Sequence, residues 1–488
     1  MDIMVWFLVC IYFLALLYIF LYSLGQLHLA HKYLKSKDNQ VDFSKQANQE
    51  LPNVTVQLPV YNEKYVVERL IDCICKLDYP KEKLEIQVLD DSTDETVEII
   101  ANKVSFWKNE GIDIQHIQRE IRTGFKAGAL DYGLKICKGQ FIAIFDADFL
   151  PESDFLQQTI NAFQEDIGVV QTRWGHVNQD FSFLTKLQAF GLDAHFTVEQ
   201  GGRNSAGSFI NFNGTAGVWR KQAIEDGGGW QADTLTEDLD LSYRTQMSGW
   251  KFKFVESVVS PAELPVYMPS VKSQQFRWNK GGAECARKHL SSLWKQSLPF
   301  QTKFHATFHL LNSSIFISLL VAALVSVPLL ILKTENEILK ALFHISSVFF
   351  IGFMSVGYFY YLSAKRLKGK GAKKYFFKRF PVFLIVVMGL SLHNALAVLE
   401  GLLGFKSPFI RTPKFGVDAK EKNWQSNKYI RYEISWLTIG EGILACYFLI
   451  ATFLGIYYND YSLLLLHLMM TVGFFTVFFN SIKPIPKS

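Results

Sequence analysis

Acidic residues recur in three short clusters along this chain. The clusters are Asp90-Asp91, Asp146-Ala147-Asp148 and Glu237-Asp238. Asp146 and Asp148 are two residues apart at the end of the apolar run FIAIF, so their side chains would share one face of a strand. Two carboxylates there could hold Mg²⁺ or Mn²⁺, which would neutralise a diphosphate leaving group. An isolated Asp-x-Asp more often only turns the chain after a strand, so this motif alone is weak.

The other two clusters allow both a structural and a chemical interpretation. Residues 92–95 and 234–237 fit capping boxes at the starts of helices, which would account for their acidic residues structurally. In the chemical interpretation, a carboxylate of the 90–91 pair accepts hydrogen bonds from the base or ribose of a nucleotide. A capping role would explain Glu237 but not Asp238. A carboxylate within ~3 Å of a sugar hydroxyl can act as the general base that takes its proton.

A further candidate is the motif QQFRW at 274–278, just before the chain becomes strongly apolar. Gln274, Arg277 and Trp278 place a guanidinium and an indole where a product could leave toward a bilayer. An amphipathic interfacial helix would also carry an Arg that reaches lipid phosphates and a Trp in an aromatic belt. The residues alone leave both interpretations open.

The elements that must position these residues begin with a soluble stretch in which strand and helix patterns alternate. Short β-branched or apolar runs at 54–63, 84–92, 113–120 and 140–148 predict strands, with helical spacing between them. This alternation predicts a parallel sheet covered on both faces. In such sheets ligands bind at the C-terminal edge of the strands, where the first two acidic clusters fall.

The apolar content of the chain exceeds what a soluble core needs, because 49% of its 488 residues are hydrophobic and 15% are aromatic. Five runs are long enough to cross a hydrocarbon layer of ~30 Å. They lie near residues 4–25, 307–332, 341–363, 434–457 and 462–481. No small-residue cleavage site follows the first run, so we predict that it is a retained membrane helix.

A sixth apolar segment, 381–403, places His393, Ala397 and Glu400 on one helical face. That pattern favours an interfacial or re-entrant helix over a full crossing. Basic residues follow the first and third spans, which puts those flanks in the cytoplasm by the positive-inside rule. We therefore predict an integral protein of the plasma or inner membrane, with its N-terminus outside and its acidic clusters in the cytoplasm.

The distribution of charge indicates which molecules this chain could contact. The formal net charge of +5 is concentrated beside the spans, which fits contact with anionic lipid headgroups. No basic-aromatic platform is evident, so nucleic acid is not an expected partner. Within the span 434–457, Glu441 requires a polar lumen or a partner. The flanking Gly440 and Gly442 also suit close helix packing, and the sequence does not decide between these interpretations.

Eight motifs, taken in order, are far more specific than any one of them. They are QLPVYNE, QVLDDSTDET, GFKAGAL, FIAIFDADF, VVQTRW, FNGTAGVWR, LTEDLDLSYR and QQFRW. Together they closely resemble the membrane-bound processive glycosyltransferases of family 2, a group that includes cellulose, mannan and hyaluronan synthases. They are nearest to the plant cellulose-synthase-like mannan and xyloglucan-backbone synthases and their bacterial relatives. The resemblance is clear over residues 54–285 and continues less sharply toward residue 430.

This resemblance implies a fold class and a domain organisation. The fold class is an α/β GT-A (Rossmann-like) cytoplasmic domain inserted between transmembrane helices, with a membrane α-helical C-terminal region. The expected segments are an N-terminal transmembrane helix (1–28), a linker (29–50), the GT-A glycosyltransferase domain (51–270), interfacial helices with the Gln-x-x-Arg-Trp motif (271–304), two transmembrane helices (305–364), a basic cytoplasmic loop with an interfacial helix and a gating-loop-like segment (365–432), and two transmembrane helices with a short tail (433–488).

The resemblance also implies roles for individual residues. Contacts to the nucleotide-sugar are expected from Tyr61, Glu63, Asp90, Asp91, Lys126, Asp146 and Arg277. Asp146 and Asp148 would hold the metal, Mg²⁺ or Mn²⁺, and Asp238 would be the catalytic base. Gln274 and Trp278 would lie on the acceptor and diphosphate side, and the FNGTAG stretch would shape the acceptor end.

Two positions depart from the family pattern. Residues 409–414 resemble the gating loop of cellulose synthases, although Arg411 replaces an expected aliphatic residue. Gln275 stands where several relatives have a basic residue, so the contacts to phosphate differ in detail.

The implied function is an inverting, metal-dependent glycosyltransferase that uses UDP-glucose or GDP-mannose to elongate and export a β-linked polysaccharide, with β-1,4 linkage favoured. A non-processive enzyme that glycosylates a membrane lipid such as ceramide or diacylglycerol would need the same carboxylates but no pore. A catalytically inactive membrane scaffold is a third hypothesis. It conflicts with the retention of all four of Asp90, Asp146, Asp148 and Asp238. Export or periplasmic partner proteins are not identified by the sequence.

Overall fold

A seven-stranded sheet forms the centre of the soluble domain. The structure is a computed structural model that describes residues 3–36, 50–407, 410–416, 428–429 and 434–482. The strands are β1 (Val54–Val60), β2 (Leu84–Asp90), β3 (Asp113–Gln118), β4 (Phe141–Ile144), β5 (Ile167–His176), β6 (Gly217–Arg220) and β7 (Lys251–Ala262). Their spatial order is β3-β2-β1-β4-β6-β5-β7.

The sheet is mixed, which corrects the prediction of a purely parallel one. Strands β1 to β4 pair in parallel, as do β5 and β7, but β6 runs antiparallel to both β4 and β5. Gly217, the first residue of β6, pairs with Ile144, the last residue of β4. The chain therefore enters β6 from the C-terminal edge of the sheet, because the preceding stretch 211–216 lies at that edge.

Helices cover both faces of the sheet. In order they are α1 (Ile3–Lys35), which precedes the domain, then α2 (Val67–Ile74), α3 (Thr96–Asn109), α4 (Phe125–Ile136), α5 (Phe155–Ile160), α6 (Phe183–Ala194), α7 (Gln200–Ser205), α8 (Lys221–Asp226) and α9 (Glu237–Met247). Leu58 and Ile71 belong to the apolar core on one face, and Ile144 and Leu130 belong to the core on the other. Two buried faces explain why β4 is apolar at every position.

Helix α1 is longer than predicted. It continues to Lys35, so the first residues of the predicted linker 29–50 are helical. Residues 37–49 of that linker lie outside the described residues. The capping box predicted at 92–95 does not form, since α3 begins at Thr96, whose backbone N–H donates to Asp94 Oδ1 at 3.0 Å.

Nine further α-helices follow the sheet among the residues that the structure describes. They are α10 (Met268–Lys295), α11 (Phe300–Leu310), α12 (Ile315–Lys333), α13 (Glu337–Ile345), α14 (Phe350–Lys368), α15 (Ala372–Gly389), α16 (Ser391–Leu403), α17 (Trp436–Tyr457) and α18 (Leu464–Ile482). Five helical stretches among the described residues are long and apolar enough to cross a membrane. They are Ile3–Lys35, Asn312–Lys333, Glu337–Gly389, Trp436–Tyr457 and Leu464–Ile482.

The segment 381–403, predicted as one interfacial helix, is divided between two helices. Its first part is the end of α15, and α16 begins at Ser391. The polar face of α16 packs against α10, where His393 Nε2 donates to Lys272 O at 2.9 Å and Asn394 Nδ2 donates to Gln275 Oε1 at 2.9 Å. The polar face that the sequence revealed therefore contacts another helix.

Glu441, on the apolar helix α17, has a partner. Its fully buried carboxylate accepts a hydrogen bond from Lys272 Nζ at 2.9 Å. A buried charge is tolerated when it is paired, so α17 is tied to α10 at this point. Gly442 also packs closely against Phe478. Both interpretations that the sequence left open therefore hold.

Helices α15 and α18 cross where two glycines meet. A Cβ atom added to Gly389 or to Gly473 would lie well within 3.0 Å of backbone atoms of the other helix. Small residues at such a crossing allow two backbones to approach closely, which strengthens helix packing in an apolar medium.

We therefore expect Gly473→Ala to force the two helices apart and to lower the free energy of unfolding by about 1–3 kcal/mol. The matched control is Gly357→Ala in α14, where the added methyl group meets Phe380 at an ordinary 3.6 Å. Thermal unfolding in detergent should show a lower midpoint for Gly473→Ala only. Equal midpoints for the two variants would contradict this account of the crossing.

Candidate active site

A single cleft lies at the C-terminal edge of the sheet. Its walls come from the ends of β1, β2 and β4, the stretch before β6, the start of α9, one face of α10 and the segment 410–416. The predicted residues that line it are Tyr61, Glu63, Asp91, Lys126, Asp146, Asp148, Asp238, Gln274, Arg277 and Trp278. Residues up to about 220 positions apart in sequence thus meet at the edge where α/β sheets bind ligands.

Asp146 lies just beyond the end of β4 and is paired with Lys126 of α4. Lys126 Nζ is 2.6 Å from Asp146 Oδ1 and donates to Gly214 O at 2.8 Å. Burial alone would lower the pKa of Lys126, but the carboxylates of Asp146 and Glu237 outweigh it and raise that pKa. Lys126 therefore carries a firmly held positive charge on the floor of the cleft.

Asp148 is almost fully buried and is held from two sides. Its Oδ2 atom accepts from the backbone N–H of Glu263 at 3.1 Å and from Lys414 Nζ at 2.8 Å. Asp148 thus fixes the end of β7 and also contacts the segment 410–416, which follows the membrane helices in sequence.

The ring of Tyr61 is covered by a cation. The Arg122 guanidinium lies 3.4 Å from the ring centroid, a distance at which a cation–π contact is favourable. The Arg122 Nε atom is also 3.7 Å from Asp91 Oδ2, and Arg119 Nε donates to Asp91 Oδ1 at 2.9 Å. This wall therefore presents an aromatic ring, a carboxylate and two guanidinium groups.

Asp90 does not line the cleft. It is buried behind Asp91, where its carboxylate lies 2.8 Å from His116 Nε2 and accepts from the backbone N–H of Ser92. The two members of this acidic pair thus have different surroundings. Asp91 faces the cleft, and Asp90 holds the turn after β2.

Asp238 stands in the first turn of α9 without a close cation. Thr236, the residue before the helix, makes no side-chain cap, so the capping box predicted at 234–237 does not form. Burial and the neighbouring Glu237 carboxylate raise the pKa of Asp238 to about 7. Asp240, two residues later, is also buried, but His289, Arg244 and Lys288 hold its pKa well below the usual range.

Helix α10 supplies the wall nearest the membrane helices. Gln274, Arg277 and Trp278 all face the cleft, and Arg277 Nη2 donates to Thr412 Oγ1 at 2.8 Å. The indole of Trp278 is 38% exposed, so much of the ring is available for contact. The spacing of the motif therefore places all three side chains on one helical face.

The segment 410–416 is docked over the cleft by contacts at both ends. Arg411 Nη1 donates to Tyr61 O at 2.9 Å, and its Nε atom is 3.5 Å from Glu63 Oε1. Burial raises the pKa of Glu63 to about 8, against the opposing charge of Arg411. Phe409, the first residue of the gating-loop-like stretch, lies outside the described residues.

Glu263 was not identified from the sequence, and it holds the other end of this segment. Its two carboxylate oxygens accept from the backbone N–H groups of Phe415 and Gly416 at 2.8 and 2.9 Å. Burial raises the pKa of Glu263 to about 7. The rule that singled out Asp146, an acidic residue just past a strand end, applies equally to Glu263 after β7.

The donor set suits a hard divalent cation that is shared with a substrate. Asp146 and Asp148 both face the cleft, and no group of three or more His, Cys, Asp or Glu side chains gathers anywhere in the described part of the chain. Mg²⁺ typically uses one or two carboxylates together with substrate phosphates and water. The two carboxylates therefore fit a metal that binds with a diphosphate, in place of their present lysine partners.

Comparison with known proteins gives a consistent picture. Residues 55–227 match the sequence profile of the family described as "Glycosyl transferase family 2". Glucomannan 4-beta-mannosyltransferase 1 of Oryza sativa subsp. japonica is 40% identical over 265 residues, which cover 53% of this chain and 51% of that protein. Probable glucomannan 4-beta-mannosyltransferase 11 of Arabidopsis thaliana is 43% identical over 249 residues, covering 49% and 56% respectively. The matched regions span about half the length of these curated relatives.

A solved structure supports the fold. The mannosyltransferase from Pyrobaculum calidifontis, in complex with GDP-Man and Mn²⁺, superposes with a TM-score of 0.57 at 20% sequence identity. The match covers 82% of this chain and 100% of that one. The predicted GT-A fold class is therefore confirmed, and so is the resemblance to family 2 that the motifs indicated.

We expect Glu263→Gln to loosen the segment 410–416, because an amide presents only one acceptor oxygen to the two N–H groups of Phe415 and Gly416. Amide hydrogen exchange at these two residues should become at least about tenfold faster. Glu284→Gln is the matched control, since Glu284 accepts one backbone N–H, that of Leu235, and an amide oxygen can still do so. Unchanged exchange in Glu263→Gln would show that the segment is held by other contacts.

Proposed function

We propose that this chain, which carries a family 2 glycosyltransferase domain, is a membrane-bound, inverting hexosyltransferase that elongates a β-linked polysaccharide from a nucleotide sugar. The observation that supports this most directly is the shared cleft. Asp91, Asp146, Asp148 and Asp238 line it together with Arg277 and Trp278. A donor, a metal and an acceptor can therefore meet within one enclosure.

In the proposed reaction Asp238 is the general base. An acceptor hydroxyl is a poor nucleophile until its proton is removed, and a base is most effective when its pKa lies near the working pH. The raised pKa of Asp238, about 7, meets that requirement. The hydroxyl attacks the anomeric carbon as the diphosphate leaves from the opposite side, so the new bond has inverted configuration.

In the proposal, Arg277 and Lys126 bind the leaving diphosphate. Both cations line the cleft, and the carboxylates of Asp146 and Glu237 act on both. Preorganised cations stabilise the negative charge that develops on a leaving group. A divalent ion held by Asp146 and Asp148, Mg²⁺ or Mn²⁺, would supply further neutralisation of the diphosphate when bound.

The donor-binding wall fits a nucleotide. In the proposal, Asp91 and the cation-covered ring of Tyr61 contact the base and ribose, and Glu63 lines the same cleft. The relatives' names favour mannose as the transferred sugar, and the Pyrobaculum calidifontis protein was solved with GDP-Man. We therefore propose GDP-mannose as the first donor to test, with UDP-glucose as the alternative.

Processive synthesis and export are part of the proposal. Trp278 offers an exposed aromatic ring at the wall formed by α10, and such rings stack on sugars. Helix α10 also packs along α16 and is tied to α17 by the Lys272–Glu441 pair. The glycan would pass from the cytoplasmic cleft into the helical bundle, with the N-terminus of α1 on the outer side.

Purified protein given radiolabelled GDP-mannose and Mn²⁺ should make an alkali-resistant, size-heterogeneous polymer, and chelation of the metal should stop the reaction. Parallel reactions with UDP-glucose and with Mg²⁺ will define the donor and the ion. A product that partitions into organic solvent and carries one sugar per acceptor would instead establish a lipid glycosyltransferase. No turnover of any nucleotide sugar would overturn the proposed activity altogether.

The pKa of Asp238 predicts the acid limb of the pH profile. Below pH 7 the carboxyl group is increasingly protonated and cannot accept a proton, so kcat/KM should fall about tenfold per pH unit, while above pH 7 it should level off. Asp238→Asn should lower turnover by about 10²- to 10⁴-fold. Glu237→Gln removes the neighbouring negative charge and should move the limb to lower pH.

The matched control for the pH profile is Asp166→Asn. Asp166 pairs with Lys251 on the surface of the domain, so its replacement should leave the limb unchanged. A limb that stays at the same pH in Glu237→Gln would show that another group controls it.

A further inference from the structure

A five-residue π-helical turn, His195–Glu199, joins α6, whose Leu192 lines the cleft, to α7. Such turns are rare and often occur at functional sites. Here the turn brings His195 and Glu199 together, with His195 Nδ1 lying 2.9 Å from Glu199 Oε2. Neither residue has a role in the mechanism described so far.

The hydrogen-bond partners fix the orientation of the Asn213 amide. Gln200 Nε2 lies 3.1 Å from the backbone oxygen of Asn211, which can only accept, so this atom is correctly assigned as the donor. The same nitrogen lies 2.8 Å from Asn213 Oδ1. Asn213 Oδ1 is therefore an acceptor, and its amide nitrogen faces His195 Nε2 at 3.1 Å.

The proton of His195 follows from this orientation. Because the Asn213 nitrogen can only donate, His195 Nε2 must accept, and the ring carries its hydrogen on Nδ1. That hydrogen is donated to Glu199. The other oxygen of Glu199 accepts from Arg203 Nη2 at 2.9 Å, and an arginine can only donate. Four side chains thus form one connected series, in which Asn213 donates to His195 and both His195 and Arg203 donate to Glu199.

The Arg203 end of this series is buried, and the Asn213 end is open to the cleft. Arg203 is 2% exposed. Burial alone would raise the pKa of Glu199, but Arg203 and the His195 N–H hold it below the usual range, so Glu199 stays ionised. Asn213, in contrast, lines the cleft. Among the described residues no partner is recorded for its second amide hydrogen, which leaves that hydrogen for a ligand.

The position of Asn213 indicates which ligand that is. A Cβ atom placed on the next residue, Gly214, would lie 3.0 Å from Asp238 Oδ2, and Asn213 and Asp238 both line the cleft. In the proposed reaction the acceptor hydroxyl must lie beside Asp238. Another hydroxyl of the same sugar would then be the group that meets the Asn213 amide.

We propose that His195, Glu199 and Arg203 are positioning residues that hold the Asn213 amide so that its second N–H donates to a hydroxyl of the acceptor sugar beside Asp238. This inference rests on the proposed glycosyltransferase function. It assigns the series to acceptor binding, so losses should appear in transfer to the acceptor and should spare hydrolysis of the donor by water.

Two substitutions of His195 separate positioning from general packing. The oxygen of Gln can occupy the place of the histidine Nε2 atom and still accept from Asn213. Asn is shorter, so it can reach Glu199 but not Asn213. We expect His195→Asn and Asn213→Ala to raise the KM for a β-1,4-linked oligosaccharide acceptor by about tenfold, the scale of one lost hydrogen bond. His195→Gln should retain most of the wild-type value.

Glu199→Gln tests the direction of the hydrogen bonds. Arg203 will take the amide oxygen, which leaves the amide nitrogen facing His195 Nδ1. The ring must then accept at Nδ1 and carry its hydrogen on Nε2, where it opposes the Asn213 amide hydrogen. This variant should therefore resemble His195→Asn in its acceptor KM although its size is unchanged. The ¹⁵N chemical shifts of labelled histidine should report the reversed tautomer.

Three measurements on the full-length protein decide the matter: acceptor KM, release of nucleoside diphosphate without acceptor, and thermal unfolding. The proposal is supported if His195→Asn and Glu199→Gln raise the acceptor KM while two other quantities stay close to wild type. These are the rate of donor hydrolysis, within twofold, and the unfolding midpoint, within a few degrees. It is overturned if His195→Gln and His195→Asn behave alike, or if donor hydrolysis falls in parallel with transfer. If wild-type protein turns over no nucleotide sugar, the proposed function fails first.

Discussion

The constraint on which this structure depends is the repulsion among carboxylates gathered in one partly buried cleft. Asp91, Asp146 and Asp148 would destabilise the fold if each were left alone, since an unpaired buried charge costs several kcal/mol. Each meets a cation instead. The pairs are Asp91 with Arg119, Asp146 with Lys126 and Asp148 with Lys414. The cleft is therefore stable only when distant parts of the chain contribute positive charge.

Asp238 is the exception, and the exception has a chemical meaning. Among the described residues no cationic nitrogen is recorded within 4.0 Å of its carboxylate, whereas Asp240, one half-turn further along α9, is bound by Arg244, Lys288 and His289. A paired carboxylate is a poor base because its negative charge is already stabilised. The structure thus separates acidic residues that bind cations from the one that is free to exchange a proton.

The sequence was informative wherever chemistry depends on local spacing. Asp146 and Asp148 after a buried strand, and Gln274, Arg277 and Trp278 on one helical face, could be located because the strand and helix periods fix their directions. The reversed strand β6 could not, since its direction depends on where the preceding loop lies. Glu263 and the series from Arg203 to Asn213 were also missed. Their partners are set by tertiary contacts, such as the one between residues 263 and 415, and such contacts produce no periodic pattern in the sequence.

Two walls of the cleft are supported in different ways. The segment 410–416 is held by Glu63, Asp148 and Glu263. On the side of Asn213, Arg203 donates to the backbone oxygen of His305 on α11, whose ring lies against His28 of α1.

Gly202, next to Arg203, packs so closely on Leu29 that α7 cannot shift independently of the first membrane helix. The wall beside Asn213 is therefore fixed to a membrane helix, whereas the wall formed by the segment 410–416 rests on side chains of the soluble domain and on the packing of Phe415 against Val266. An acceptor held by Asn213, as proposed above, would thus be positioned relative to the membrane helices.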